Sequence, residues 1–218
     1  MSRTLKYDIE GADFRVAPEA LAGDGLAKAF APDLLPPLRL IVDLGFGRGE
    51  LLLALAQAEP EAALLGVEYS YKRVLKLARR LARTPLRNVR LVCDTAEAIV
   101  GDRLSPGSVA AFWVNFPDPW PKKRHHRRRL LQPAFVRQLA LRLAPDGLLH
   151  AATDHEGYAD AIAEVLAGEP LLENLHAPAA FQLEPPERVA TAYELEWRAQ
   201  GRSCRYFAYR RTRAAAVA

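Results

Sequence analysis

The chain contains the stretch Arg39-Leu40-Ile41-Val42-Asp43-Leu44-Gly45-Phe46-Gly47-Arg48-Gly49, in which an apolar run leads directly into three alternating glycines. The apolar run predicts a buried strand over residues 39–44. The glycines predict a tight turn in which the backbone approaches a ligand closely. Residues 51–58 then predict an amphipathic helix that ends before Pro60. A strand, a glycine-rich turn and a helix in this order are typical of an α/β fold.

The same alternation of short apolar runs and longer amphipathic stretches continues along the chain. Further strands are predicted at 64–68, 89–93, 109–114 and 148–153, and further helices at about 70–83, 132–144 and 157–167. A last strand is predicted around 204–209, after an irregular proline-rich connection over 170–190. Strands separated by helix-length segments predict an α/β fold with an open, mostly parallel, doubly wound, Rossmann-like sheet.

Length and composition are those of one globular domain with a short arm. The chain has 218 residues, of which 50% are hydrophobic and 26% are charged, so disorder over most of its length is excluded. We predict an N-terminal arm with one short helix over 1–38, the α/β domain over 39–213 and a frayed tail over 214–218.

Two cysteines are too few for a disulfide framework or a zinc-ligand set. No apolar run reaches the roughly 18 residues that cross a bilayer, so we expect a cytoplasmic protein with no membrane partner.

The basic residues are concentrated in three segments. The formal net charge is only +4, from 30 Lys and Arg against 26 Asp and Glu. Residues 72–90, 122–129 and 198–213 nevertheless hold eight, six and six basic residues, and none of these segments contains an acid. Such segregation predicts a polyanion bound to one face of the molecule. The alternative is three separately solvated surfaces.

The acids and glycines that follow the predicted strands form a candidate cofactor site. Ligands of open α/β sheets bind beyond the carboxyl ends of the strands. A dinucleotide-binding turn would have its third glycine one position later, where the chain has Glu50. The spacing therefore favours S-adenosylmethionine, with Glu68 toward the ribose, Asp94 toward the adenine and Asp43 toward the amino-acid end. The candidate residues are Asp43, Gly45, Gly47, Gly49, Glu68 and Asp94. The alternative is an ordinary tight turn with solvated acids.

A proline-rich segment after the fourth of these strands is the candidate reaction site. Asn115-Phe116-Pro117-Asp118-Pro119-Trp120-Pro121 is too rich in proline for the interior of a helix or sheet. Its prolines make a stiff ledge that holds the carboxylate of Asp118 beside the aromatic ring of Trp120. A purine suits such a site, because it stacks on an aromatic ring and offers donors to a carboxylate. The alternative is a structural proline–tryptophan corner.

A basic run follows the ledge directly. Residues 122–129 carry six formal positive charges in eight positions, and contacts to several phosphates are their natural use. We predict no metal site at His125 and His126, because no nearby carboxylate or thiolate completes one. A nuclear-localisation signal would explain the charge of the run but not the ledge before it.

The ledge and the basic run together resemble the signature of the tRNA (guanine-N7)-methyltransferase family. The resembling residues are Phe116 to His125 and Arg127 to Arg129, with Thr153-Asp154 and a T-x-[FY]-E segment at Thr191-Ala192-Tyr193-Glu194. The resemblance implies a class I methyltransferase fold and methyl transfer from S-adenosylmethionine to N7 of a guanosine in the tRNA variable loop. The chain departs from the family in having Asp43 where Glu is frequent, and in a more basic last strand.

The resemblance also implies roles for individual residues. Asp43, Glu68, Asp94 and Asp118 would contact S-adenosylmethionine, and Asp118 would also be the catalytic residue. Lys122, Asp154, Thr191, Ala192, Tyr193 and Glu194 would contact the substrate. Arg124, His125, His126, Arg127, Arg128 and Arg129 would bind the RNA backbone. The implied partner is tRNA, and both a monomer and a homodimer are compatible with the sequence.

Other functions remain compatible with parts of the sequence. Methylation of an exocyclic amine would use a [DN]-P-P-[YFW] motif at the same strand end, which the segment beginning at Asn115 partly imitates, although no consecutive prolines follow Asn115. A non-catalytic RNA-binding protein on a methyltransferase fold would explain the basic segments. A nicotinamide oxidoreductase is disfavoured by Glu50.

Overall fold

Eight strands form one mixed sheet in the computed structural model, which describes residues 9, 11–187 and 189–213. The strands are β1 (Arg15–Val16), β2 (Arg39–Leu44), β3 (Ala62–Val67), β4 (Val89–Val92), β5 (Val109–Asn115), β6 (Leu143–Thr153), β7 (Leu172–Asn174) and β8 (Arg205–Arg211). Their spatial order is β1-β4-β3-β2-β5-β6-β8-β7. The ladders from β1 to β6 are parallel, whereas β8 is antiparallel to both β6 and β7. The predicted tail over 214–218 lies outside the described residues.

The helices cover both faces of this sheet. They are α1 (Gly25–Phe30), α2 (Glu50–Ala58), α3 (Tyr71–Leu81), α4 (Ala96–Ala98), α5 (Pro133–Arg142), α6 (Glu156–Ala167) and α7 (Ala192–Ala199). Two 3₁₀ helices span Pro18–Leu21 and Lys123–Arg128, and α4 continues as a π-helical turn over Ile99–Arg103. Among these described helices, none is long and apolar enough to span a bilayer.

Alternating residues of the central strand divide the core into two apolar clusters. Leu40 and Val42 of β2 pack in a cluster with residues of α1, α5 and α6. Ile41 points to the other face and packs with residues of α2 and α3. A strand buried on both faces has no polar alternation, which explains why Leu40, Ile41 and Val42 are apolar without a break. The predicted open, mostly parallel α/β fold is confirmed.

The strand order reverses between β2 and β5. The chain runs outward from β2 through β3 to β4, and then returns to add β5 and β6 on the other side of β2. Ligands of open α/β sheets bind at such a point, because the loops on its two sides leave a crevice between them. Since β2 and β5 are adjacent and parallel, the glycine turn after β2 and the proline ledge after β5 begin side by side at the carboxyl edge of the sheet.

Several elements differ from the prediction. The helix predicted over 132–144 ends at Arg142, because Leu143 is buried and pairs with Val109 at the start of β6. Residues 145–147, which were predicted neither as helix nor as strand, form an irregularity inside β6, where the register with β5 shifts. Strand β7 lies within the connection predicted to be irregular. Residues 15–16 were not predicted as a strand, but they pair with β4.

Candidate active site

Two adjoining cavities lie beyond the carboxyl ends of the central strands. The loop cavity, about 330 Å³, is bordered by the glycine turn, Asp43 and the start of α7. The strand cavity, about 510 Å³, is bordered by the ends of β3 and β4. Both cavities share the wall residues Gly45, Arg73, Asn115, Phe116 and Asp118. The shared wall makes them two halves of one cleft.

The three glycines of the turn have different roles. Gly45, Gly47 and Gly49 all adopt the left-handed conformation, with φ of 78°, 57° and 78°. Gly45 lines both cavities, and a Cβ atom there would have no atom within 4 Å. A Cβ atom at Gly49 would lie 2.5 Å from Cδ2 of Leu77. Gly49 borders neither cavity. The need for glycine at this position is therefore explained by close packing against Leu77 of α3, and not by the expected cofactor contact.

Glu68 is a buried carboxylate held by several donors. Its side chain is 1% exposed at the end of β3. The backbone N–H groups of Gly47 and Ser70 donate to its two oxygens over 3.2 and 3.0 Å, and Arg73 Nη1 lies 3.4 Å from Oε2. A buried charge is tolerated when it is paired and hydrogen-bonded in this way. The carboxylate is thereby fixed in orientation at the wall of the strand cavity.

Asp43 and Asp94 border the two halves of the cleft. Asp43 is buried in the wall of the loop cavity, and Asp94 borders the strand cavity. Oδ1 of Asp94 accepts a hydrogen bond of 2.7 Å from the backbone N–H of Thr95, the N-cap of α4. Burial and the nearby carboxylates, Asp94 first, raise the pKa of the Cys93 thiol.

The proline ledge has a strained backbone. Phe116 and Trp120 have φ of 51° and 42°, in the left-handed region that residues other than glycine seldom adopt. Each such residue costs on the order of 1–3 kcal/mol, and such residues cluster at ligand sites. The N–H of Phe116 donates to the carbonyl of Ala152, which fixes the start of the ledge on β6. Asp118 is exposed on the ledge, in the wall of both cavities.

The ring of Trp120 is contacted by two residues of the basic run. His125 meets it edge-on with ring centroids 5.8 Å apart, and the guanidinium of Arg128 lies 5.0 Å from its centroid. Both Trp120 and Arg128 border the strand cavity. The ledge and the basic run therefore form one surface at the mouth of the cleft.

Asn115 begins the segment predicted as the reaction site, but the sequence assigned it no role of its own. It ends β5 and borders both cavities. Its Nδ2 is buried, and within the described residues it has no hydrogen-bond partner. A buried donor without an acceptor costs free energy that a ligand oxygen would recover. The available signal in the sequence was its position, as the polar residue between a buried strand and the ledge.

The T-x-[FY]-E segment forms the beginning of α7. The side chain of Thr191 caps the helix by accepting a bond of 3.2 Å from the N–H of Glu194. Thr191 and Tyr193 border the loop cavity, and Ala192 is the first residue of the helix. Glu194 is 0% exposed and accepts a hydrogen bond of 2.6 Å from the hydroxyl of Tyr206 on β8. The expected substrate contact of Glu194 is therefore not available, because its side chain ties α7 to the sheet.

Asp154 lies between α7 and the end of β6. The hydroxyl of Tyr193 lies 3.5 Å from its Oδ1, and Arg202 Nη1 lies 3.3 Å from its Oδ2. Burial is the largest cause that raises the pKa of the Tyr193 hydroxyl, and the negative charge of Asp154 is the second. The guanidinium of Arg202 also stacks on Trp197 at 3.7 Å from the ring centroid. This network holds Tyr193 at the wall of the loop cavity.

The basic run does not present all its residues to solvent. Arg124, Arg127 and Arg128 are exposed, while His125 and His126 are half-buried. Arg129 is only 5% exposed. Its guanidinium donates to the carbonyls of Pro119 and Gly157 over 2.9 and 3.2 Å and lies 4.7 Å from the ring centroid of Tyr158.

This burial corrects the expected role of Arg129. Because its guanidinium is enclosed, Arg129 joins the ledge to α6 and is not exposed for the expected contact with an RNA backbone. Lys122 is exposed and borders neither cavity, at the N-terminus of the 3₁₀ helix. In the part of the chain that the structure describes, no three His, Cys, Asp or Glu side chains are grouped as a metal site would require.

Comparison with known proteins identifies the family. A family model described as "Putative methyltransferase" matches residues 38–206. The chain is 46% identical over 169 residues to the tRNA (guanine-N(7)-)-methyltransferase of Leifsonia xyli subsp. xyli, covering 78% of this chain and 74% of that protein. The chain belongs to the tRNA (guanine-N7)-methyltransferase family. It is also 52% identical over 154 residues to the protein of that name from Bordetella pertussis, covering 71% of this chain but 60% of that protein.

Solved methyltransferase structures share the fold of this family member. The 16S rRNA methyltransferase KamB superposes with a TM-score of 0.63 at 18% identity, over 88% of this chain and 94% of that chain. The residues matched by the family model include every wall residue of both cavities. The cleft therefore lies within the methyltransferase part of the chain.

The cleft has the features that a methyl donor of this family requires. Gly45 and Gly47 leave the backbone open to close approach, and Glu68 is a fixed acceptor for hydroxyl groups. Asp43 and Asp94 add a carboxylate to each half of the cleft. The unpartnered Nδ2 of Asn115 adds a donor within the described wall. The donor set thus suits S-adenosylmethionine.

Proposed function

We propose that this protein transfers a methyl group from S-adenosylmethionine to N7 of a guanosine in the variable loop of tRNA. One observation carries the proposal: the exposed carboxylate of Asp118 borders both halves of the cleft, at the foot of the basic run. Both relatives described above have names that state methylation of guanine N7 in tRNA. Such an enzyme would work in the cytoplasm.

The methyl donor would be held by residues from three strand ends. Asp43, Gly45, Gly47, Glu68 and Asp94 would bind it, with Asp118 at its reacting end. When bound, S-adenosylmethionine supplies an electrophilic methyl group on a sulfonium centre. The carboxylates on this part of the cleft would complement its positive charge.

The acceptor needs orientation more than it needs proton transfer. Guanine N7 has a free lone pair and no proton, so its methylation requires no general base. Positive charge grows on the guanine ring as the methyl group is accepted. A carboxylate at Asp118 would orient the base and stabilise that charge. Alignment of reacting groups contributes about 7 kcal/mol or more in favourable cases.

The basic surface would hold the tRNA near the cleft. Arg124, Arg127 and Arg128 are exposed and would contact phosphates, with Lys122 beside them. Thr191, Tyr193 and Asp154 would contact the nucleotide at the loop cavity. This binding would weaken steeply as salt rises.

Substitution of Asp118 tests the catalytic proposal. Asp118→Asn should lower methyl transfer to unmodified tRNA by roughly 10²-fold or more, since it removes the negative charge that stabilises the positive charge growing on guanine. Binding of S-adenosylmethionine, measured by calorimetry, should change far less. Asp160→Asn, which neutralises an exposed carboxylate on α6, should behave like the wild type. Near-normal turnover of Asp118→Asn would disprove the orienting role.

The product distinguishes the proposal from methylation of an exocyclic amine. Borohydride and aniline cleave RNA at 7-methylguanosine, so the methylated tRNA should be cut at one guanosine of the variable loop. Methyl transfer without such a cut would favour an exocyclic amine as the acceptor. Absence of both S-adenosylmethionine binding and transfer would favour a non-catalytic RNA-binding protein.

A further inference from the structure

Helix α3 carries a row of basic residues on its exposed side. Its apolar side, which includes Val74 and Leu77, is buried against the sheet. Four basic residues lie exposed on the opposite side or just after the helix: Lys72, Lys76, Arg80 and Arg83. We call these four residues the α3 row.

The α3 row lacks partners of opposite charge. Among the residues that the structure describes, none of its members forms an ion pair. Lys72, Lys76 and Arg80 are spaced four residues apart, so each adjacent pair of like charges destabilises the helix. Residues 70–90 contain no acid that could relieve the repulsion. A bound polyanion would relieve it.

The C-terminal basic segment, residues 198–213, is different, because most of its charges are paired. Four of its arginines lie within 4 Å of a carboxylate, as Arg202 with Asp154, Arg205 with Glu156, Arg210 with Glu173 and Arg213 with Asp146. Arg211 donates to the carbonyl of Ala140. Two basic segments of similar composition therefore differ in what their charges contact. All four charges of the α3 row are available to a partner, whereas in the described C-terminal segment only Arg198 is exposed without a carboxylate partner or carbonyl acceptor.

The α3 row begins at the rim of the cleft. Arg73, the neighbour of Lys72, borders both cavities and lies 3.4 Å from the Glu68 carboxylate. Lys76 and Arg80 follow Arg73 by three and seven residues, on the same side of the helix. At 1.5 Å per residue, Arg80 lies about 10 Å further along the helix axis than Arg73. The row thus leads away from the reaction site.

We infer that the α3 row binds the phosphate backbone of the substrate tRNA at a part of the molecule distant from the target guanosine. The inference rests on the proposed function, because it takes tRNA as the polyanion. A row of cations spaced along an axis matches successive phosphates of one strand. It would extend the RNA-binding surface from the basic run, on one side of the cleft, to α3 on the other.

The test compares two double variants that remove the same charge. Lys76→Gln with Arg80→Gln should reduce the slope of log affinity against log salt concentration by about 1.4–1.8 for full-length tRNA. Arg210→Gln with Arg213→Gln should keep the wild-type slope, since these arginines are paired with acids. Both variants change exposed residues, and thermal unfolding should show that both remain folded.

A short RNA separates this surface from the reaction site. An oligonucleotide that carries only the target guanosine and its immediate neighbours should bind the Lys76→Gln, Arg80→Gln variant as tightly as the wild type. A weaker affinity for this oligonucleotide, a wild-type slope with tRNA, or an equal loss of slope in both variants would overturn the inference. Methyl transfer by the wild type reports on the proposed function separately, so the two can fail independently.

Discussion

At the scale of single residues, two glycines with the same backbone conformation serve different purposes. Gly45 and Gly49 share a φ of 78°, but only Gly45 faces the cleft. A side chain at Gly45 would extend into open space, whereas one at Gly49 would collide with Leu77. Ligand approach explains the first glycine and core packing explains the second.

Alanine at each position should separate these two roles. Gly49→Ala should destabilise the protein by about 1–3 kcal/mol more than Gly45→Ala, because it adds overpacking to the strain that both share. Gly45→Ala should weaken S-adenosylmethionine binding more strongly than Gly49→Ala does in the folded protein. Urea unfolding and calorimetry provide the two measurements. Equal stabilities of the two variants would contradict the packing role of Gly49.

At the scale of elements, adjacent arginines of the basic run have opposite surroundings. Arg128 is exposed and covers Trp120 at the mouth of the cleft. Arg129 is buried and joins the ledge to the start of α6 through the carbonyls of Pro119 and Gly157. The ledge therefore depends on α6 for its position, although the two are separate in sequence.

Glutamine at each arginine should distinguish binding from support. Arg128→Gln should reduce the salt slope of tRNA binding by roughly 0.7–0.9, the value for one lost phosphate contact, with little change in stability. Arg129→Gln should cost about 2–3 kcal/mol of unfolding free energy, because buried carbonyls lose a charged donor. Its salt slope should remain that of the wild type. If Arg129→Gln unfolds like the wild type and its tRNA binding depends less steeply on salt, Arg129 contacts the RNA and the supporting role is wrong.

Burial within an element decides which parts of the fold could be predicted. Strands β2 to β5 are mostly buried hydrophobic runs, so the sequence predicts them closely. Of β6 it predicts only residues 148–153, because Pro145, Asp146 and Gly147 interrupt the first half of that strand. Strands β1 and β7 have two and three residues, too few for a pattern. Helix α7 could have been predicted, since Thr191 and Glu194 have the spacing of a capping box.

Burial also decides which features of the candidate site could be predicted from the sequence. The acids Asp43, Glu68 and Asp94 follow buried strands, and the topology brings them to one edge as expected. The sequence of the basic run predicts its charge but not the exposure of each residue, so it could not show that Arg129 is buried while Arg128 is exposed. The distinction comes from contacts with Tyr158, about 30 positions later in the chain.

At the scale of the whole molecule, buried tyrosines link stability to alkaline pH. Burial is the main cause that raises the pKa of Tyr158, to about 12, and those of Tyr206 and Tyr209. A pKa raised in the folded state gives stability that is complete below the unfolded pKa, near 10, and is lost as pH rises toward the folded pKa. We therefore expect the protein to lose stability above pH 10.

Tyr158→Phe should make this alkaline loss smaller. Ionisation of Tyr158 accounts for a loss of about 2 kcal/mol between pH 10 and 12, which phenylalanine cannot show. At pH 8 the variant should be less stable by about 1–3 kcal/mol, because the N–H of Leu131 loses its acceptor, the Tyr158 hydroxyl. Tyr69→Phe, at a side chain 68% exposed, is the control and should keep the wild-type pH profile. Urea unfolding at several pH values provides the measurement, and an unchanged profile for Tyr158→Phe would contradict this assignment.

The position of β8 has a consequence for synthesis of the chain on the ribosome. This strand lies between β6 and β7, and its Tyr206 also anchors α7 through Glu194. Until residues 205–211 emerge from the ribosome, β6 has an unpaired edge, and such edges are prone to association with other strands. A nascent chain that ends before β8 would therefore lack the anchored wall of the loop cavity. Methyl transfer should begin only after this late strand is inserted.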